Sequence, residues 1–167
     1  AKAFLETELT DWDNAYKTLL RWKVDFVQKL LPKFIGQQYG RILFSESSTV
    51  KQPLQNLVLS NSIRLAVVGM AKTLSEEIAQ QGITVNVIGP GFHDTAAMQR
   101  LFIKKSETEG ISIEEARKNF ESQTKTGRMG DADDFASLAI WLLSPKSKYI
   151  TGQTFSVDGG LIKGVFG

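Results

Sequence analysis

The sequence predicts an α/β fold built on a parallel sheet, and three observations carry that prediction. Short apolar runs at 40–44, 83–88 and 154–157 are candidate buried strands. The stretches between them repeat apolar residues at three- and four-residue steps, the period of an amphipathic helix. Each connection is a helical crossover rather than a hairpin turn, which implies parallel βαβ units of right-handed hand.

Taken in order, Thr10-Asp-Trp-Asp13 offers a capping residue followed by a carboxylate at the third helical position. Trp12, Ala15, Leu19, Trp22 and Phe26 then predict an amphipathic helix to about Lys33, with Pro32 and Gly36 marking its end. Gly40 to Phe44 reads as a buried strand. After a loop containing Pro53, the spacing of Leu57, Ile63, Val67, Met70, Leu74 and Ile78 predicts a long helix over 57–81. Gly82 stands where a left-handed cap belongs. Ile83 to Ile88 is β-branched at most positions and bounded by glycines, hence a second buried strand.

Residues 95–125 hold two helical segments around Gly110, the second opened by a capping box of Ser112 and Glu115. A connection of this length within a compact domain is usually functional. Asp131, with Asp134 three residues on, caps a helix to Leu143, and Thr154 to Val157 is a third strand closed by Asp158-Gly-Gly160.

Composition narrows the function classes. The chain has 167 residues, 42% hydrophobic and 23% charged, as in an ordinary globular domain. Twenty basic against eighteen acidic residues, in no one-sign blocks, give no electrostatic case for nucleic acid or an anionic membrane surface. Cysteine is absent and His93 is the single histidine, so no metal site is expected. The apolar run 138–143 is far too short to span a bilayer and no secretory series is visible, so the expected location is the cytoplasm. An opening Ala rather than Met hints at a mature or cut form.

Several segments fall in a telling order: Gly40-Arg-Ile, Ser47 through Arg64, Pro90-Gly-Phe-His-Asp-Thr95, Gly127-Arg-Met-Gly130 and Thr151-Gly-Gln-Thr through Asp158-Gly-Gly160. This series resembles the C-terminal part of short-chain dehydrogenases/reductases, in particular the 3-oxoacyl-carrier-protein-reductase-like members. The resemblance implies a Rossmann-like, doubly wound parallel sheet of which only the last three strands and their helices are present. It also implies NAD or NADP as cofactor, a small carbonyl or acyl substrate, and a homodimer or homotetramer paired through helices at 10–34 and 57–81. The helices at about 95–125 would cover the substrate. The glycine-rich turn that seats the pyrophosphate is absent. About three βα units of roughly 30 residues each would be missing, so the chain is expected to be part of a larger protein that binds cofactor only with its N-terminal half. The alternative is a self-standing three-strand domain with an exposed sheet edge.

In that family a Tyr supplies the proton, a Lys four residues later holds the ribose, a Ser binds the carbonyl oxygen, and an Asn on the preceding helix holds a water relay. The matching places here are Ser60, Arg64, Ser47 and Leu19. Ser47 keeps the ability to donate to an oxyanion. Ser60 is far less acidic than a phenol, and Arg64 can bind ribose hydroxyls but cannot shuttle protons. Both residues could equally be ordinary members of a helix. Pro90, Gly91, His93 and Thr95 are the candidate cofactor contacts; the alternative for them is a plain strand-to-helix turn, and for His93 either a proton donor or a solvated loop residue. Leu101-Phe-Ile103 would face a substrate cavity or pack within the lid. For Asp158-Gly-Gly160 a structural turn is expected. The expected activity is that of an NAD(P)-dependent oxidoreductase with an atypical site, in the intact protein rather than in this chain alone. The alternative is an inactive nucleotide-binding or oligomer-scaffold protein.

Overall fold

In the computed structural model, which describes residues 1–165, the chain opens with a helical rod in three parts. Helix α1 (Leu9–Tyr16) passes through a π-helical turn (Lys17–Arg21) into α2 (Trp22–Gln37). Strand β1 (Gly40–Ser45) follows, then α3 (Val58–Ile78), β2 (Ile83–Pro90), α4 (Ala96–Glu109), α5 (Ile113–Glu121), α6 (Ala132–Leu143) and β3 (Thr154–Val157). The sheet has the order β1-β2-β3, all parallel, with Gly40 opposite Ile83 and Val87 opposite Thr154.

The central strand explains why the sequence folds this way. Every residue from Ile83 to Gly89 is buried, as expected for a parallel strand covered on both faces. Its one amide side chain, Asn86, is satisfied: Nδ2 donates to the Ile150 carbonyl at 2.9 Å and Oδ1 accepts from Gln153 N at 3.1 Å. Gly82 turns the chain into this strand at φ 72°, and a Cβ there would lie 2.4 Å from the Gln38 carbonyl oxygen. Only glycine fits such a turn.

One core cluster joins α2 and α3 to the sheet through Val27, Phe44, Val67, Ala71, Ile78, Val85 and their neighbours. A second lies under α4 and α5, where Met98, Phe102, Ala116 and Met129 meet Phe92 and Phe120. Of the row Leu101-Phe-Ile103, only Phe102 is core; Leu101 and Ile103 are exposed. β1 forms one edge of the sheet, flanked by an apolar groove of about 260 Å³ that includes Trp22, Phe26, Leu43 and Leu143.

Two local expectations are corrected. The first helix begins two residues earlier than a Thr10 cap would place it: Glu8 is the N-cap and forms the capping box with Asp11. Nor does Pro32 end α2, which runs through it to Gln37 and closes on Gln38 in the left-handed conformation. Packing of Val27, Leu31 and Phe34 on the sheet side offsets the hydrogen bond that proline cannot make. The capping boxes at Ser112/Glu115 and Asp131/Asp134 form as expected. Among the described residues, no helix is long and apolar enough to cross a membrane.

Candidate active site

Parallel α/β sheets bind ligands at the carboxyl ends of their strands, and the candidate residues gather there. β1 ends at Ser45, and the chain continues in register, with Glu46 N donating to the Ile88 carbonyl at 2.9 Å. Strand alternation places Phe44 and Glu46 on the inward side, both buried, while Ser45 between them is exposed. A carboxylate is thereby driven into the space between α2 and α3.

That carboxylate is met by two cations. Lys23 of α2 donates to Glu46 Oε1, with the lysine side chain 8% and the glutamate side chain 0% exposed. Arg64 of α3 donates from Nη1 to Glu46 Oε2 at 3.0 Å and to the Glu46 carbonyl at 3.2 Å. Arg64 Nε donates to Ser60 Oγ at 3.1 Å, one helical turn back. Ser47, next along from Glu46, caps a short 3-10 turn (Ser48–Val50) and accepts from Thr49 N through Oγ at 3.2 Å. Each serine oxygen thus accepts a bond, which leaves its hydroxyl hydrogen for another acceptor.

The structure therefore brings Ser60 and Arg64 into direct contact, and Ser47 directly follows in the chain the residue whose carboxylate holds Arg64. It adds two residues that the sequence reading missed, Lys23 and Glu46. The signal was present for Glu46: it stands two residues beyond Phe44, on the inward face of a predicted strand, where an acidic side chain requires a cation. Lys23 lies one turn beyond Leu19, the place of the absent relay amide, and Leu19 itself falls in the π turn. Such turns recur at functional sites.

The second loop touches the first. A Cβ on Gly89 would sit 3.0 Å from the Ser47 carbonyl oxygen. Pro90 ends β2. At Gly91 the close approach is to Asp158, whose Cβ would stand 2.7 Å from an added methyl. Packing against that turn accounts for the glycine. Thr95 caps α4, its hydroxyl accepting from Met98 N at 3.4 Å. His93 is half-buried in its loop: Nδ1 lies 3.3 Å from the Gly91 carbonyl, and Nε2 is buried without a protein partner. Its ring lines a small pocket with Arg128, Asp134 and Asp158 that does not include Ser47, Ser60 or Arg64. Asp158 accepts from Gly160 N and Ile162 N, both at 3.0 Å, and closes its turn.

Bidentate Arg128 beside Asp134, with a further bond from the backbone of Asp131, draws the Asp134 carboxyl down to about 2. Among the described residues, no group of three or more His, Cys, Asp or Glu could hold a metal ion.

A parallel sheet flanked by helices, with a polar constellation at the carboxyl end of its strands, is a Rossmann-like α/β architecture. The family model described as enoyl-(acyl carrier protein) reductase matches residues 1–162, and the chain belongs to the short-chain dehydrogenases/reductases. It is 32% identical over 160 residues to dehydrogenase/reductase SDR family member 6 of Aquarana catesbeiana, covering 95% of this chain and 63% of that protein. It is likewise 32% identical over 153 residues to the 3-oxoacyl-[acyl-carrier-protein] reductase FabG of Staphylococcus aureus, covering 90% and 57%. Among solved structures, YwfH, an NADPH-dependent reductase involved in bacilysin biosynthesis, superposes with a TM-score of 0.92 at 25% identity, over 98% of this chain and 63% of that one. A short-chain dehydrogenase family protein from Francisella tularensis gives 0.88 at 27% identity, over 96% and 65%. The chain thus spans a little under two thirds of the length of the curated relatives it matches.

Proposed function

We propose that this chain is the C-terminal part of an NAD(P)-dependent oxidoreductase acting on a small carbonyl or alcohol substrate through an atypical site. The observation that carries the reading is the Arg64–Ser60 bond at 3.1 Å, with Arg64 also bound to the Glu46 carbonyl, next in the chain to Ser47, at the carboxyl end of β1. The residues present fit the nicotinamide end of the cofactor. Arg64 keeps Nη2 for a ligand, and the buried Thr49 Oγ1 has no protein partner. Thr95 offers its hydroxyl hydrogen, and Pro90, Gly91 and His93 shape the turn that leads to it. No described residue supplies a glycine-rich turn for the pyrophosphate, so binding rests on the part of the relatives' length that this chain does not span.

Bound there, the nicotinamide would supply the hydride to the carbonyl carbon. Ser47 and Ser60 donate hydrogen bonds to the carbonyl oxygen as negative charge grows on it, a stabilisation often large in catalysis. The Arg64 charge behind Ser60 supports the same charge, and the proton that completes the alcohol comes from water. Leu101 and Ile103, exposed on α4, belong to a substrate-covering unit of about 95–125. A groove between α2 and α3, lined by Val24, Leu31, Gly69 and Met70 among others, supports the pairing of these helices in a homodimer or homotetramer of a cytoplasmic enzyme.

One observation favours a second reading, an inactive nucleotide-binding or scaffold member. Arg64 spends Nε and Nη1 inside the protein, and no group of phenol-like acidity stands at Ser60. Titration of the full-length gene product with NADH and NADPH, followed through tryptophan fluorescence, separates the two when joined to a carbonyl panel. Quenching with cofactor oxidation supports the enzyme. Quenching without oxidation supports the second reading, and no quenching removes the cofactor assignment.

A further inference from the structure

The ion-paired carboxylate at the end of β1 has no counterpart in the Tyr, Lys, Ser and Asn set of the family, yet it touches the residue in the Lys place. We propose that Glu46, held by Lys23, is the positioning residue of this site: it fixes Arg64 so that Nε donates to Ser60 and the Ser60 hydroxyl hydrogen is left for a substrate oxygen. The inference rests on the oxidoreductase reading above and names the group that orients its atypical residues.

The geometry supports this in three ways. Arg64 is gripped at two points of one residue, since Nη1 reaches both the Glu46 carbonyl and its carboxylate. Two contacts on one nitrogen and a third on Nε define the guanidinium plane, and that plane aims the Nε hydrogen at Ser60. Second, a carboxylate with a fully buried side chain would be expelled or protonated without compensation. Lys23, itself nearly buried, supplies a second cation on the other carboxylate oxygen while Arg64 is used at the site. Third, the three groups come from three separate elements, α2, the end of β1 and α3. The arrangement ties the two helices to the strand that presents Ser47. In place of a water relay, the chain has a fixed chain of charges running Lys23, Glu46, Arg64, Ser60. Each contact along it fixes the direction of the next group, so its use is orientation.

A structural role alone would make the same contacts, and the test separates the two. In the full-length protein, Lys23→Met, Glu46→Gln and the double variant are compared by thermal unfolding, by kcat and KM with NADPH and a β-ketoester, and by the Arg64 Nε–H signal in nitrogen-15 NMR. The double variant removes both buried charges and is expected to recover much of the thermal stability lost in Glu46→Gln. Its kcat stays down by about tenfold or more, the scale set by misplacing a reacting group, while KM changes little. In the wild type the Arg64 signal exchanges slowly with solvent and shifts in Ser60→Ala; in the double variant both properties are lost. Should the double variant not fold, Glu46→Asp replaces it, keeping the charge beside Lys23 but drawing the carboxylate back from Arg64, with the same expected loss in kcat and in the signal. Recovery of kcat together with stability, or an Arg64 signal unchanged by the substitutions, overturns the proposal. A wild type that reduces no carbonyl sinks the oxidoreductase reading, and the Arg64 signal then decides the positioning on its own.

Discussion

Lys23 and Glu46, on α2 and at the end of β1, form an ion pair in which neither side chain is more than 8% exposed. A buried pair of this kind contributes less to stability than its contacts suggest, because both ions are desolvated. Removing one partner is another matter. Lys23→Met is expected to destabilise the protein by about 3 kcal/mol, since Glu46 would then depend on Arg64 alone. Chemical denaturation of the single and double variants checks this, and Lys23→Met/Glu46→Gln should be more stable than Lys23→Met.

The turn into β2 should be intolerant of any side chain. Gly82 has φ 72°, and an added Cβ would stand 2.4 Å from the Gln38 carbonyl oxygen. Gln38 is itself left-handed at φ 54°, so the two halves of the corner cannot easily part. Gly82→Ala is expected to cost about 1–3 kcal/mol from backbone strain, seen as a lower denaturation midpoint with an unchanged slope. Gly36→Ala, where nothing lies within 4 Å of the added carbon, is the control and should be neutral or stabilising.

Asp134 gives the fold a pH dependence of definite sign. Its carboxyl is drawn from an ordinary 3.8 down to about 2 by Arg128 first and the Asp131 backbone second. A lowered folded-state value means that the stabilisation is fully present above the unfolded value. It is lost as pH falls through the folded one. The difference in stability between wild type and Asp134→Asn should therefore be constant above about pH 4, shrink between about 4 and 2, and vanish below. Urea unfolding at stepped pH reads it. Both side chains are partly exposed, at 57% for Arg128 and 34% for Asp134, so added salt should weaken the effect.

Most of the fold was legible because glycines and capping residues punctuate it. Gly82, Gly110, Ser112 and Asp131 each mark a boundary that the structure keeps. Pro32 misled, since a local rule was overridden by tertiary packing of the residues around it. The π turn at 17–21 has no composition that betrays it. At the site, the family spacing matched Ser47, Ser60 and Arg64 to the family's catalytic places, but it could only list what was missing. The structure adds contacts between residues 23 and 46 and between 46 and 64, and such long-range pairing leaves no periodicity in a single sequence. The partial cover of His93 was illegible for the same reason, because Gly130 and Phe135, which pack on its ring, come from a distant segment.

The central claim is that Ser47, Ser60 and Arg64 form a working, if atypical, site for hydride transfer. It is tested most directly by incubating the full-length protein with NADPH or NADH deuterated at the transferable C4 position and a carbonyl substrate that it accepts, then weighing the alcohol product. One deuterium is expected on the carbinol carbon, with transfer strongly reduced in Arg64→Met. An enzyme that binds the labelled cofactor but forms no deuterated alcohol from any carbonyl offered would contradict it.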